Sequence, residues 1–257
     1  MRWSTGAPGK GCGPGIAALY RHMTLQVKLG IEHGLFADGP RMERLDVAFA
    51  QRYFEAFDAY FSGQKPTDSW TVAFETAERD RLAVVQHLLL GINAHINLDL
   101  GIASAEVCPG AAIAGLQGDF NEIDNVIAVL VDVVMEEIGA VSPWFALLDR
   151  IAGKTDKVLV NFSIDVARQE AWALAEEMAP LAPVDQVPVI ARRDKGVALF
   201  ARVVKRPGFL TWLVTKLIAW REVQDVRWVI AVLADRVQPE AVLARRVARR
   251  AAVATME

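Results

Sequence analysis

Cysteine is nearly absent from this chain of 257 residues: Cys12 and Cys108 are the only two. One sits in a glycine-rich leader and the other beside Pro109, so they do not make the disulfide framework of a secreted scaffold. Two thiols cannot build a four-thiolate zinc site, and they fit a reducing compartment. Histidine is scarce as well, with four residues, too few for a trinuclear zinc site of the helical phospholipase or nuclease type. The first fifteen residues, MRWSTGAPGKGCGPG, lack the apolar run of a secretory signal and read as a flexible leader. The longest apolar stretches are interrupted well before the ~20 residues that span a bilayer. Val126 to Met135 contains Asp132, and Gly208 to Trp220 contains Lys216. A soluble, cytoplasmic protein without a transmembrane segment is therefore expected.

The chain also lacks GxGxxG, GxxxxGK[ST], HExxH and GxSxG, the signatures of nucleotide-fold, P-loop, zincin and α/β-hydrolase sites. The paired Glu-x-x-His motifs of a di-iron bundle are missing. Alternating stretches bounded by hairpin turns are missing too, which removes the β classes. What remains is helical periodicity in a chain that is 53% hydrophobic and 23% charged. The fold class that follows is all-α: a multi-helix bundle in a single domain with a basic C-terminal helical extension.

The helices can be placed from their stripes and stops. The first runs from Ile16 to about Leu35 and ends at FADGP. A second starts near Pro40, a residue suited to a first helical turn, carries Leu45, Phe49, Tyr53 or Phe54, Phe57 and Phe61, and ends at SGQKP. Asp68 or Ser69 caps a third, expected to continue through Trp70, Phe74 and Leu82 into HLLLGINAHINLDL. Cys108-Pro109-Gly110 is a loop. Asp119 reads as the N-cap of a fourth helix, with Glu122 completing a capping-box pattern. A fifth covers roughly Thr155 to Met178, and Pro180, Pro183 and Pro188 mark a linker. The expected organisation is a leader over 1–15, a helical core over 16–180, a proline-rich linker over 181–190 and a basic helical segment over 191–257 that packs on the core.

That last segment carries 14 Lys and Arg against 6 Asp and Glu, while residues 1–190 carry 14 against 25. A basic tail of this kind either meets anionic partners or packs on the protein's own acidic body. The second reading is the expectation, with no nucleic-acid partner. Peripheral contact with a membrane surface through this part, using Phe209, Trp212 and Trp220, is the alternative.

The chemistry concentrates in QHLLLGINAHINLDL. Two histidines, two asparagines and an aspartate interrupt a segment otherwise as apolar as a core helix, and each buried polar group there needs a partner. His87, Gly91, His95 and Asp99 recur every four residues and form one stripe; Asn93 and Asn97 form another on roughly the opposite side. His95 and Asp99, one turn apart, fit either of two roles. They can ligate a divalent ion (zinc, iron or manganese) together with His87, or the carboxylate can fix the imidazole tautomer and prepare His95 as an acid or base. Gly91 leaves space for a ligand or for a passing helix.

Asp124, two residues into an apolar run, is the candidate from the fourth helix. The expected catalytic set is thus His95, Asp99, His87 and Asp124, with Asn93, Asn97, Tyr53 and Gly91 lining a small-molecule site. Alternatively, the polar segment is a satisfied hydrogen-bond network that fixes helix register in a binding or scaffold protein. His22 reads as helix surface, His33 as a helix C-terminal histidine and Asp46 as a surface aspartate. Arg52 and the phenylalanines of the second helix read as packing.

The run HLLLGINAHINLDL, with GIEHGLFADGPRMERLDVAFAQRYFEAFDAYF upstream and GDFNEIDNVI downstream, resembles a bacterial family of helical domains of unknown function over roughly residues 16–180. The resemblance implies a shared helical fold and a polar site around His87, Asn93, His95, Asn97 and Asp99. It implies no activity.

Overall fold

The structure, a computed structural model, describes residues 13–79, 82, 84–123, 164–206, 240, 242–245 and 248. Among these there is no strand, and nearly all are helical. Helix α1 is Gly13–Glu32, α2 is Gly39–Phe61, α3 is Asp68–Arg79 and α4 is Val84–Ala94. A π turn, His95–Asp99, joins α4 without a break to α5, Leu100–Val107. After a 3-10 turn at Gly110–Ala112, residues 113–123 are helical and are called α6. The described chain resumes with α7, Ile164–Met178, and α8, Pro183–Lys205.

The rod from α4 through the π turn to α5 is the axis of the fold. Gln86–Val107 is long and apolar enough to cross a membrane by composition, yet 83% of its apolar window is buried inside the protein. It is the centre of the core. On one side Met42, Leu45 and Phe49 of α2 meet Leu100 and Ala103 of α5 and Leu116 and Phe120 of α6. Tyr53 of α2, Trp70 and Phe74 of α3 and Leu90 and Ala94 of α4 make a second cluster with Ala201 and Val204 of α8. Leu98 and Ile102 meet Leu174 and Met178 of α7 and Val189 and Val197 of α8 in a third.

Several boundaries differ from the sequence expectation. The third predicted helix is two, because α3 ends at Arg79 and α4 begins at Val84, with non-helical Leu82 buried between them. No glycine or proline marks the break; folding back lets Trp70 and Phe74 cover Leu90 and Ala94 in one cluster. The first-turn amides of α3 are held from elsewhere: the Asp194 carboxylate on α8 accepts from Asp68 N at 2.6 Å and Ser69 N at 2.9 Å. A helix N-terminus favours a carboxylate whichever segment supplies it.

The expected linker is helix as well. Pro183 opens α8 and Pro188 lies inside it, on the exposed side, where water can serve the Val184 carbonyl that a proline leaves without its donor. From α8, Arg192 and Arg193 pair with Glu177 and Glu170 of α7. Phe209, Trp212 and Trp220 lie outside the described residues.

Asp119 does not cap its own helix, which begins earlier, at residue 113. It reaches the turn between α1 and α2 and accepts from Ala37 N at 2.6 Å, Asp38 N at 3.0 Å and Arg41 Nη2 at 2.7 Å. Burial alone would raise its pKa, but the bonds from Arg41 and the two amides outweigh burial and hold it below the usual carboxylate range. Asp38 in turn caps α2, accepting from Arg41 N at 2.9 Å.

His22 is buried rather than at the surface. His33 does close α1, its Nδ1 2.8 Å from the Leu29 carbonyl oxygen. Asp46 is half-buried between α1 and α2, and burial pushes its pKa up to about 6 against a bond from Thr24.

The sign of the Asp46 effect is testable. A carboxyl group whose folded pKa lies above its unfolded value binds protons preferentially in the folded state. Its contribution is whole below the unfolded value of 3.8 and is lost as pH rises through about 6. Asp46→Asn should therefore match the parent at pH ~4 and exceed it by up to about 3 kcal/mol at pH ~8. Urea unfolding across this range measures the difference, and a gap that is constant with pH would refute the assignment.

Candidate functional site

The π turn coincides with the residues HINLD. Leu100 N–H bonds to the His95 carbonyl, the i→i+5 pattern of the wider turn. Such a turn needs more than four residues per revolution, so the side chain of Asp99 stands almost above that of His95. His95 Nδ1 lies 3.1 Å from Asp99 Oδ2, and each residue is only 1% exposed.

Two other elements supply donors to the same carboxylate. Trp70 of α3 donates its indole N–H to Asp99 Oδ2 at 2.8 Å, and Arg52 of α2 donates Nε–H to Oδ1 at 3.4 Å. Phe49, one turn before Tyr53 on α2, stacks on the imidazole with ring centroids 3.5 Å apart. Trp70 presents its edge to that ring at 6.0 Å, and Tyr53 packs on Trp70 at 5.4 Å. Three helices thus converge on one histidine–carboxylate pair.

The chemistry of these partners fixes the proton. Indole and guanidinium N–H groups only donate, so the Asp99 oxygens are acceptors for both. The Asp99 oxygen facing Nδ1 then calls for a third donor, which places the imidazole proton on Nδ1 and the lone pair on Nε2. Burial pushes the His95 pKa below the ordinary histidine value; the bond and charge of Asp99 pull it back up, and the positive charge of Arg52 adds to the lowering. The net shift is downward, which favours the neutral imidazole.

The asparagines hold the turn in place. Asn93 donates Nδ2–H to the Val197 carbonyl on α8 at 3.0 Å, and Asn97 donates to Asn93 Oδ1 at 3.0 Å. Arg193 of α8 donates Nε–H to the Asn97 carbonyl at 3.1 Å. Both amides are thereby committed to the helix and its neighbour. Gly91 is buried within α4.

His87 is half-buried on α4, eight residues and about 12 Å of helix axis from His95. Side chains leaving one rod at that separation do not converge on a single ion. Among the described residues no three His, Cys, Asp or Glu side chains are placed to hold a metal. The His87, His95 and Asp99 ligand set is therefore not assembled here, and Asp124 lies outside the described residues.

The sequence reading missed Arg52, Trp70 and Glu106. Arg52 carried one usable signal, a charge on the inward flank of α2 between Phe49 and Tyr53. Its Nη1 also stands 3.8 Å from Glu106 of α5. Trp70 looked like any core aromatic, because nothing local distinguishes an indole that donates from one that only packs.

These features define the class: an all-α bundle whose central helix holds a buried histidine–carboxylate pair in a π turn. The chain belongs to a family described as of unknown function, DUF5995, whose model matches residues 15–207. That match reaches past the expected core boundary and takes in α8. No curated protein and no solved structure matches the chain.

Proposed function

We propose that the His95–Asp99 pair is an acid/base dyad of an intracellular enzyme that acts on a small, largely apolar molecule, with His95 Nε2 as the proton-accepting atom. The observation that carries this reading is the 3.1 Å contact from His95 Nδ1 to a carboxylate otherwise occupied by donors. A carboxylate bonded to one ring nitrogen sets the tautomer and raises the basicity of the other, as enzymes require of a histidine base. Phe49 and Trp70 set aromatic surface against the imidazole, and Tyr53 packs behind Trp70. The π turn supports it too, since such turns concentrate at functional positions. Isomerisation, elimination and cyclisation all use a base of this kind. The buried free thiol of Cys108 agrees with a reducing compartment.

The rival is a structural hub, and near-complete burial of both partners favours it. The two differ in what His95 does. Long-range nitrogen–proton NMR on the labelled full chain, with His95→Gln for assignment, should show the Nδ1–H tautomer, still neutral at pH ~6, below the ordinary value of about 6.5. In a turnover screen over enolisable ketones, lactones and epoxides, His95→Asn should lower the rate of any converted compound by about 10²- to 10⁴-fold. A proton on Nε2, or an unchanged rate in the variant, would rule out the dyad.

A further inference from the structure

Among His95, Asp99, Trp70 and Arg52, only Arg52 has appreciable access to solvent, its side chain being 22% exposed. A guanidinium presents five N–H donors in a planar fork. One of them, on Nε, is directed at Asp99 at 3.4 Å. A second carboxylate, Glu106, forms an ion pair with Nη1 at 3.8 Å, beyond hydrogen-bond length. Among the described residues no hydrogen bond engages the terminal NH₂ groups of Arg52. A half-buried cation whose terminal NH₂ groups have one loose ion pair with Glu106 and no hydrogen bond among the described residues, joined through one carboxylate to His95, is a group that can take a ligand.

The surroundings narrow what that ligand is. Ala48, Arg52, Glu55 and Ala59 fall on one flank of α2 at helical spacing. Ala48 and Ala59 are small and only partly buried, as is Val107 beside Glu106 on α5. Ala48 and Val107 pack against the apolar cluster that holds Phe49 and Leu100. Burial pushes the Glu106 pKa up, and the negative charges of Glu55 and Asp99 add to that against the pull of Arg52. A dianion would meet too much negative charge here. A monocarboxylate can exchange with Glu106 at equal charge and, unlike it, can reach both arms of the fork.

We propose that Arg52 anchors the carboxylate of a small apolar monocarboxylic acid, with Glu106 the side chain that this carboxylate displaces. The inference rests on the small-molecule reading of the His95–Asp99 site and names its substrate class.

The test uses the full chain, sodium hexanoate as probe and hexanamide as the uncharged control. Binding is followed by calorimetry and by the Trp70 indole N–H resonance, assigned with Trp70→Phe. Hexanoate should bind at one saturable site and shift that resonance, and hexanamide should bind at least about tenfold more weakly. Arg52→Lys keeps a cation beside Asp99 but loses the fork, and should weaken hexanoate about tenfold with the melting temperature little changed. Glu106→Gln, at an exposed position, removes the competitor and should tighten hexanoate severalfold.

The anchor is overturned if no straight-chain carboxylate from acetate to decanoate binds saturably, if hexanamide equals hexanoate, or if binding ignores both substitutions. These outcomes are separable from failure of the dyad. Absent binding with the His95 proton on Nδ1 removes the anchor alone, and normal binding with the proton on Nε2 removes the dyad alone.

Discussion

Replacing Asp99 with Ala should remove about 3–5 kcal/mol of stability, because it strands several buried partners at once. Trp70 N–H and His95 Nδ1 lose the acceptor they share, and Arg52 loses the carboxylate that offsets its charge. A truncation that leaves buried donors without acceptors costs far more than the contact is worth in net terms. Against a total of about 5–15 kcal/mol for an ordinary domain, the variant is close to unfolding.

Asp99→Asn separates charge from shape. Its amide oxygen, in the place of Oδ2, can still accept from both Trp70 and His95, but its NH₂ group then faces the Arg52 Nε–H. We expect a loss of about 2 kcal/mol with the His95 proton staying on Nδ1, since Nδ1 still faces an acceptor. Urea unfolding followed by circular dichroism gives the first quantity and nitrogen NMR of the imidazole the second. A loss under about 1 kcal/mol for the Ala variant would mean that the convergence of α2, α3 and the π turn on this carboxylate does not hold them together.

The segment that carries the site was legible because its composition conflicts with its burial. Polar residues in HLLLGINAHINLDL had to find partners, and they do. The i, i+4 spacing of His95 and Asp99 was enough to bring them together. It was not enough to show that the connecting turn is π; the contacts made there with α8, from Asn93 to the Val197 carbonyl and from Arg193 to the Asn97 carbonyl, join residues 104 and 96 positions apart in the chain.

The same limit explains the misassigned cap at Asp119. Asp119 lies inside α6 and Asp194 in the middle of α8, so neither caps its own helix. Each serves amides far away in sequence, at Ala37 and Asp38 or at Asp68 and Ser69. His87 shares the stripe of His95 and Asp99 but stands about 12 Å of helix axis from His95. Residues every four positions share a face, but a shared face eight residues long is not a shared site.

Glycine shows most sharply what burial adds to sequence, and it sets the last expected result. Gly101 in α5, Gly118 in α6 and Gly196 in α8 are all glycines inside helices, where alanine is ordinarily better by about 1 kcal/mol. A methyl group on Gly118 or Gly196 would meet nothing within 4 Å. One on Gly101 would lie 2.6 Å from the Ala171 carbonyl oxygen and 2.9 Å from Leu174 Cδ2. The first of these is backbone of α7 and cannot rotate away, so α5 and α7 must separate.

Gly118→Ala and Gly196→Ala should each raise stability by up to about 1 kcal/mol. Gly101→Ala should lower it by about 3 kcal/mol, with the overpacking cost exceeding the gain in helix propensity. Because Gly101 follows the π turn by two residues, the displacement also reaches Asp99, and the Trp70 indole N–H resonance should move in Gly101→Ala and stay fixed in the other two. If all three substitutions stabilise alike, α5 and α7 do not approach as closely as the Gly101 contacts require, and the seating of the π turn against α7 is wrong with them.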